Sequence, residues 1–223
     1  MKIFPAVTAL ALIAATTAVL AQADIEPARF IDGSIPRMAP LAVGGGDVML
    51  SIAVSSAGVV GAIDVLRSTP PFTDAVVEAV RTWRFSPALD SKRKPMDTRL
   101  LVDAVIGAPS LIGPTLGTPP KDVAPPDARV PYPAQRSMPA YPVNARSEGT
   151  VLVETRVDPT GHVVGVTAVH SAPPFDSLAL DAARSWTFRP AQGAAAPPST
   201  YAYLLFAFRQ PVFSAAPVPV PGR

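Results

Sequence analysis

The chain has 223 residues, with 19 Lys and Arg against 17 Asp and Glu for a formal charge of +2, 28 Pro, 14 Gly and no Cys. So balanced a charge leaves no electrostatic footprint for nucleic acid, and the lack of cysteine excludes disulfide staples and thiolate metal sites. Each folded unit must be stabilised by packing alone, or by pairing with another unit.

Residues 1–23 open with Lys2, continue through an apolar run from about Ile3 to Leu20, and end in Ala21-Gln22-Ala23, the small-x-small pattern of a signal-peptidase site. The expectation is a cleaved export signal with Asp24 as the mature N-terminus. The alternative is a retained inner-membrane anchor, because the stretch from residue 3 to residue 23 is uncharged and of bilayer-spanning length.

The segment Pro36 to Ala88 then occurs a second time, without a gap, as Pro139 to Ala191. Of the 53 aligned positions 17 are identical, where unrelated segments of this composition would share roughly 5. Ser68, Pro70, Pro71 and Phe72 return as Ser171, Pro173, Pro174 and Phe175. Trp83, Phe85 and Pro87 return as Trp186, Phe188 and Pro190. These are packing and punctuation residues, so the duplicated object is a small fold.

From Gly46 the pattern alternates, with Val48, Leu50, Ile52 and Val54 on one face and Met49, Ser51 and Ala53 on the other. In the second copy Val151, Val153, Thr155 and Val157 face one way and Leu152, Glu154 and Arg156 the other, which predicts a half-buried strand in each. The runs Ser55-Ser56-Ala57-Gly58 and Asp158-Pro159-Thr160-Gly161 supply hairpin turns with glycine where positive φ is required. A second strand follows over about 59–66 and 162–169.

After Ser-x-Pro-Pro-Phe the period lengthens to 3.6. Phe72, Ala75, Val76, Ala79, Val80 and Trp83 form one stripe, and Phe175, Leu178, Ala179, Ala182, Ala183 and Trp186 repeat it, so each copy carries an amphipathic helix. Thr73 and Asp176 stand where an N-cap is expected. Pro87 and Pro190 forbid continuation of the helix, and a third strand runs over about 98–106 and 201–209. The fold class is α+β: two ββαβ units, each a small antiparallel sheet with a helix on one face. The expected organisation is a leader at 1–23, a first unit at 36–107, a Pro-rich linker at 108–138, a second unit at 139–210 and a disordered tail at 211–223.

The second copy carries Tyr141-Pro142, Ala145, Gly149, Val151, Asp158-Pro159-Thr160-Gly161, Ser171, Phe175-Asp176, Ala179, Ala182, Arg184 and Trp186-Thr187-Phe188-Arg189-Pro190-Ala191. In order and spacing this run resembles the TonB C-terminal domain. The first copy is similar in Gly46, Gly58, Ser68, Phe72, Trp83, Phe85 and Pro87, but has Met38-Ala39 and Ser55-Ser56 where the second has Tyr141-Pro142 and Asp158-Pro159. The resemblance implies a periplasmic binding module linked to energy-dependent transport, without enzymatic activity or cofactor. Its partner would be an outer-membrane TonB-dependent receptor or another envelope protein, whose extended segment adds to the free edge of the last strand. On that reading Tyr141 and Pro142, with Tyr201, Tyr203, Leu204, Leu205 and Phe206 of the edge strand, form the partner site. Trp83, Phe85, Pro87, Trp186, Phe188 and Pro190 are structural. The chain departs from a full energy transducer: residues 1–23 contain no His, and the Pro-rich spacer lies between two copies instead of before one. The alternative is a scaffold whose two copies pair edge to edge, within the chain or as a homodimer.

Catalytic readings have less behind them. His162 and His170 lie eight residues apart with no metal-ligand spacing. His170, Ser171 and Asp176 supply the residue types of a nucleophilic triad, yet Ser68 holds the matching place in the first copy beside Arg67, which has no base function. Asp176 and Asp181, matched by Thr73 and Glu78, read as cap and solvated face. Arg81 and Arg184 read as surface cations, each with a neighbouring acid. Gly44-Gly45-Gly46 precedes a strand, so no helix N-terminus is available there to hold a phosphate.

Overall fold

The computed structural model describes residues 25–38, 42, 44–109, 124–192 and 200–211. The expected leader, and the tail beyond Pro211, lie outside the described residues. In chain order the elements are β1 (Arg29–Asp32), β2 (Gly46–Val54), β3 (Val60–Arg67), α1 (Phe72–Arg81), β4 (Arg84–Ser86), β5 (Ala88–Leu89), β6 (Pro95–Met96), β7 (Thr98–Ile106), β8 (Tyr132–Gln135), β9 (Gly149–Val157), β10 (Val163–His170), α2 (Asp176–Ser185), β11 (Thr187–Arg189) and β12 (Thr200–Phe208).

Each repeat builds the ββαβ unit that its periodicity predicts, and the copies match element for element. Hairpin β2–β3 corresponds to β9–β10, and Gly58 and Gly161 sit in the turns at φ +76° and +90°. A Cβ at either position would also lie 1.8 Å from a carbonyl oxygen, that of Phe85 or Phe188. The same glycines accept from the Phe85 and Phe188 N–H groups at 2.9 and 2.7 Å, which fastens the Trp-x-Phe segment to the hairpin. Trp83 and Trp186 are buried, and their indoles donate to the Ser34 and Ser137 carbonyls, both at 2.9 Å.

Thr73 and Asp176 are not the N-caps. They lie inside the first turn, and the caps are Pro71 and Phe175, neither making a side-chain cap bond. The two side chains reach back to the preceding loop: Thr73 accepts from the Thr69 N–H at 2.9 Å and Asp176 from the Ala172 N–H at 2.7 Å.

The two units do not form separate sheets. All the long strands join one six-stranded sheet in the order β10-β9-β12-β7-β2-β3, in which β12 and β7 run parallel and every other pair is antiparallel. Setting two equivalent strands side by side in the same direction turns one copy over relative to the other. The helices therefore lie on opposite faces. One core holds Val48, Leu50, Ile52, Phe72, Val76 and Trp83 together with Leu152, Tyr203, Leu205 and Ala207 from the second copy. The opposite core holds Val151, Val153, Phe175, Ala179 and Trp186 together with Met49, Leu101 and Val105 from the first. The sheet is buried on both faces near its centre, which corrects the half-buried expectation for β2 and β9: Met49 and Ser51, and Leu152 and Glu154, are buried as well.

The pre-repeat segments complete the arrangement. Strand β1 pairs with β4, and β8, 103 residues later, pairs with β11. Part of the expected linker, from Ala124 to Met138, is thus an ordered strap of the second unit, while 110–123 lie outside the described residues. No helix among the described residues is long and apolar enough to cross a membrane.

Candidate functional site

The seam between the copies is built from β7 and β12. The parallel register runs from Ala202 opposite Leu101 to Ala207 opposite Ile106, while the other side of β12 pairs with β9 from Thr200–Val157 to Phe208–Gly149. Both main-chain edges of β12 are occupied within the chain. The expectation that Tyr201 to Phe208 offers a free edge is therefore corrected: Tyr203, Leu204, Leu205 and Phe206 are fully buried, and Tyr201 is half-buried. The physical reason is that an uncharged edge so rich in aliphatic and aromatic residues favours pairing, and its own duplicate is held at high effective concentration by the chain.

Tyr141 and Pro142 lie apart from that strand. The Tyr141 ring is buried against Phe175, with centroids 5.7 Å apart, and its hydroxyl donates to the Ser147 carbonyl at 2.8 Å. Pro142 is half-buried on the same turn. Trp83 and Trp186, which end the helical stripes, and Phe85 and Phe188 two residues on are all buried in the core.

Each strap crosses the seam and bonds the other copy. Arg29, from the strap of the first unit, donates to Glu154 on β9, from Nε at 2.8 Å and from Nη2 at 2.5 Å. Glu154 is nearly inaccessible and also accepts from the Tyr203 hydroxyl at 3.0 Å. That hydroxyl accepts from the Phe30 N–H at 3.0 Å, so Arg29, Phe30, Glu154 and Tyr203 form one network. Burial, then the nearby Glu154 charge, pushes the Tyr203 phenol well up, so the hydroxyl remains a donor at every physiological pH. Phe30, Trp83, Phe85 and Tyr203 pack as an aromatic cluster, with centroids from 5.3 to 6.3 Å apart.

On the opposite face the second strap does the same to the first copy. Asp127 accepts from the Ser51 hydroxyl at 2.6 Å and faces Arg99 at 3.3 Å, and its own neighbour Arg129 donates to it at 2.9 Å. Burial pushes this carboxyl up, but the bonds from Arg129 and Ser51 outweigh it and hold it well below the usual carboxylate range. Nine residues on, the buried Arg136 side chain bonds Asp47 at 2.6 Å and Asp103 at 3.3 Å, while Arg67 lies 3.2 Å from Asp47. Asp103 stands in the middle of β7, wholly inaccessible, with Oδ1 lacking a hydrogen-bond partner. Burial raises its carboxyl to about 6, with Arg136 pulling the other way. Asp103 and Glu154 are legible only as acids set among the apolar residues of their strands; their pairing with Arg136 and Arg29 needed the fold.

Of the nucleophilic-triad residues, Ser171 and Asp176 fasten a turn, while His170 is the exposed last residue of β10. The Ser171 hydroxyl donates to Asp176 at 2.5 Å, as the Ser68 hydroxyl bonds that of Thr73 at 2.9 Å in the first copy. Arg184 pairs with Asp181 on the helix surface. Among the described residues no cluster of His, Asp and Glu could hold a metal. The two outer strands of the sheet, β10 and β3, carry no further ladder on their far sides among the described residues; β11 and β4 touch only their beginnings, through single bridges from Thr187 to His162 and from Arg84 to Val59.

No curated protein and no solved structure matches the chain. A family model described as the Gram-negative bacterial TonB protein C-terminal matches it twice, over residues 35–103 and 137–209. The second match starts inside the ordered strap and ends within a residue of β12, and each match takes in the hairpin, the helix and the Trp-x-Phe segment. The chain belongs to the TonB C-terminal family and carries two tandem copies of its domain.

Proposed function

We propose that the chain is a periplasmic interaction module in which two TonB C-terminal domains are fused into one unit. On this reading it takes extended segments of an outer-membrane TonB-dependent receptor, or another envelope protein, by strand addition at an outer edge of the sheet. The observation that carries it is the parallel pairing of β7 with β12, which occupies the last-strand edge while leaving β10 and β3 open. Membership of a family of envelope transport proteins supports the class of partner. The turn-forming roles of Ser171 and Asp176 support a role without catalysis. The occupied seam also favours a second reading, a scaffold that pairs its copies and takes no segment at all.

A seam lock separates these readings. Ala104 and Leu205 are register partners across β7 and β12, and the chain has no other cysteine, so Ala104→Cys with Leu205→Cys places one disulfide across the seam. A receptor's extended periplasmic segment, titrated into reduced and oxidised protein, should bind both with equal affinity. Loss of binding on oxidation would return the site to β12, and absence of binding in both states would leave the scaffold.

A further inference from the structure

The two outer edges of the sheet differ, although they descend from one repeat. Strand β3 carries Asp64 and Arg67, which are engaged in ion pairs with Arg99 and Asp47. Charges on an edge strand deter pairing with another strand. In β10 the run Val163-Val164-Gly165-Val166-Thr167-Ala168-Val169 has no charge and four valines, and Val164 is 48% exposed. An edge of this composition is suited to accept a further strand.

One cation is set beside that edge. Arg156 lies on the neighbouring strand β9, is exposed, and is register partner to Gly165 on β10. A Cβ added to Gly165 would sit 3.7 Å from Arg156 Nε and 4.0 Å from Nη2, so the guanidinium lies across the face of the glycine toward the outer side of the sheet. Among the described residues Arg156 has no carboxylate partner. The matching positions of the first copy are Ala53 and Ala62, so both the arginine and the gap that lets it lie across the strand belong to the second copy alone.

We propose that the outer edge of β10 is a strand-addition site for an extended protein segment that carries an acidic side chain, with Arg156 reading the acid across Gly165. This rests on the reading above that the chain takes extended segments, and names the edge and the charge of the ligand. Main-chain hydrogen bonds to β10 supply the binding, and the arginine supplies register and choice of sequence. Uncharged flanks on the ligand suit the valine-rich strand.

The probe is a capped peptide of alternating Thr and Val with one central Asp, compared with analogues bearing Asn or Lys there. Each is titrated into the full isotope-labelled chain, and amide exchange is followed by NMR. The Asp peptide should protect amides within Val163 to His170 and bind up to about fivefold more tightly than the Asn peptide at low salt, the advantage shrinking as salt is added. Arg156→Glu, at an exposed position, should reverse the order in favour of Lys, with the fold monitored by unchanged protection of β12. Protection of β3 instead would overturn the site and leave the wider reading standing; no binding of any peptide at millimolar concentration would remove both. Concentration-dependent protection of β10 without peptide would assign the edge to a second copy of the chain and overturn the acidic ligand.

Discussion

Asp103→Asn tests the seam most directly, because it removes a charge that the fold holds at a cost. Asp103 is fully buried and its carboxyl is raised from 3.8 to about 6, mainly by burial, against the pull of Arg136. A folded-state value above the unfolded one means that the native chain binds this proton more tightly. Stability is therefore gained as pH falls from about 6 toward 4 and forfeited above that window. A rise from 3.8 to about 6 corresponds to roughly 3 kcal/mol, an upper bound for what ionisation of Asp103 costs at pH 7.5. Asparagine keeps the shape and removes the charge, and Arg136 keeps Asp47 at 2.6 Å. Urea unfolding of the Asn variant should show greater stability at pH 7.5 by up to about 3 kcal/mol, little change near pH 4, and a flatter profile between. Arg136→Met should do the reverse, costing about 3–5 kcal/mol at pH 7.5 by leaving the buried Asp103 without its strap cation, and recovering as pH falls. Asp127 does not confuse the comparison. Its carboxyl is depressed in the folded chain, so its contribution is present above about 4 and is lost only below that. An Asn variant less stable than the parent at pH 7.5, or an unchanged slope between pH 4 and 6, would refute the assignment of Asp103 as a charge under strain at the seam.

The secondary structure was legible because its signals are local. The period-two strands, the 3.6-residue stripe from Phe72 to Trp83, and Gly58 and Gly161 in their turns each state a backbone requirement within a few residues. The duplication added a second reading of every position. What stayed hidden depended on how the copies meet. Glu154 looks like a solvent-face residue because its alternation with Val153 and Thr155 is that of a half-exposed strand, and its burial is explained by Arg29, 125 positions away, together with the Tyr203 hydroxyl. The last strand gave the opposite problem. Its unbroken apolar run, Tyr201 to Phe208, is equally the mark of an edge awaiting a partner and of a central strand, and the difference lies in β7. One sequence clue did point to the second answer: Leu100 to Ile106 is interrupted by Asp103, a charge that needs a buried cation if both faces of the strand are covered. The straps were missed because Arg29–Asp32 and Tyr132–Gln135 are only four residues long and share no identical residue, so their equivalence is one of register and not of sequence.

Two further substitutions examine parts of this frame independently. Gly161→Ala should cost about 2–3 kcal/mol or more, since alanine is strained at φ +90° and its Cβ would meet the Phe188 carbonyl at 1.8 Å; Gly58→Ala should behave alike, and thermal unfolding measures both. Tyr203→Phe addresses the strap on the α1 face. The hydroxyl serves Glu154 and the Phe30 N–H together, so its loss leaves a buried donor unpaired and weakens the hold on a buried carboxylate, for about 1–3 kcal/mol. The decisive feature is where that loss appears. If the straps join the copies, amide exchange should quicken in β1 and in β9, which belong to different repeats; if each repeat were independently stable, the change would stay within the second copy. Coupling across the seam is what makes two family domains a single unit, and it leaves only the outer edges for a partner.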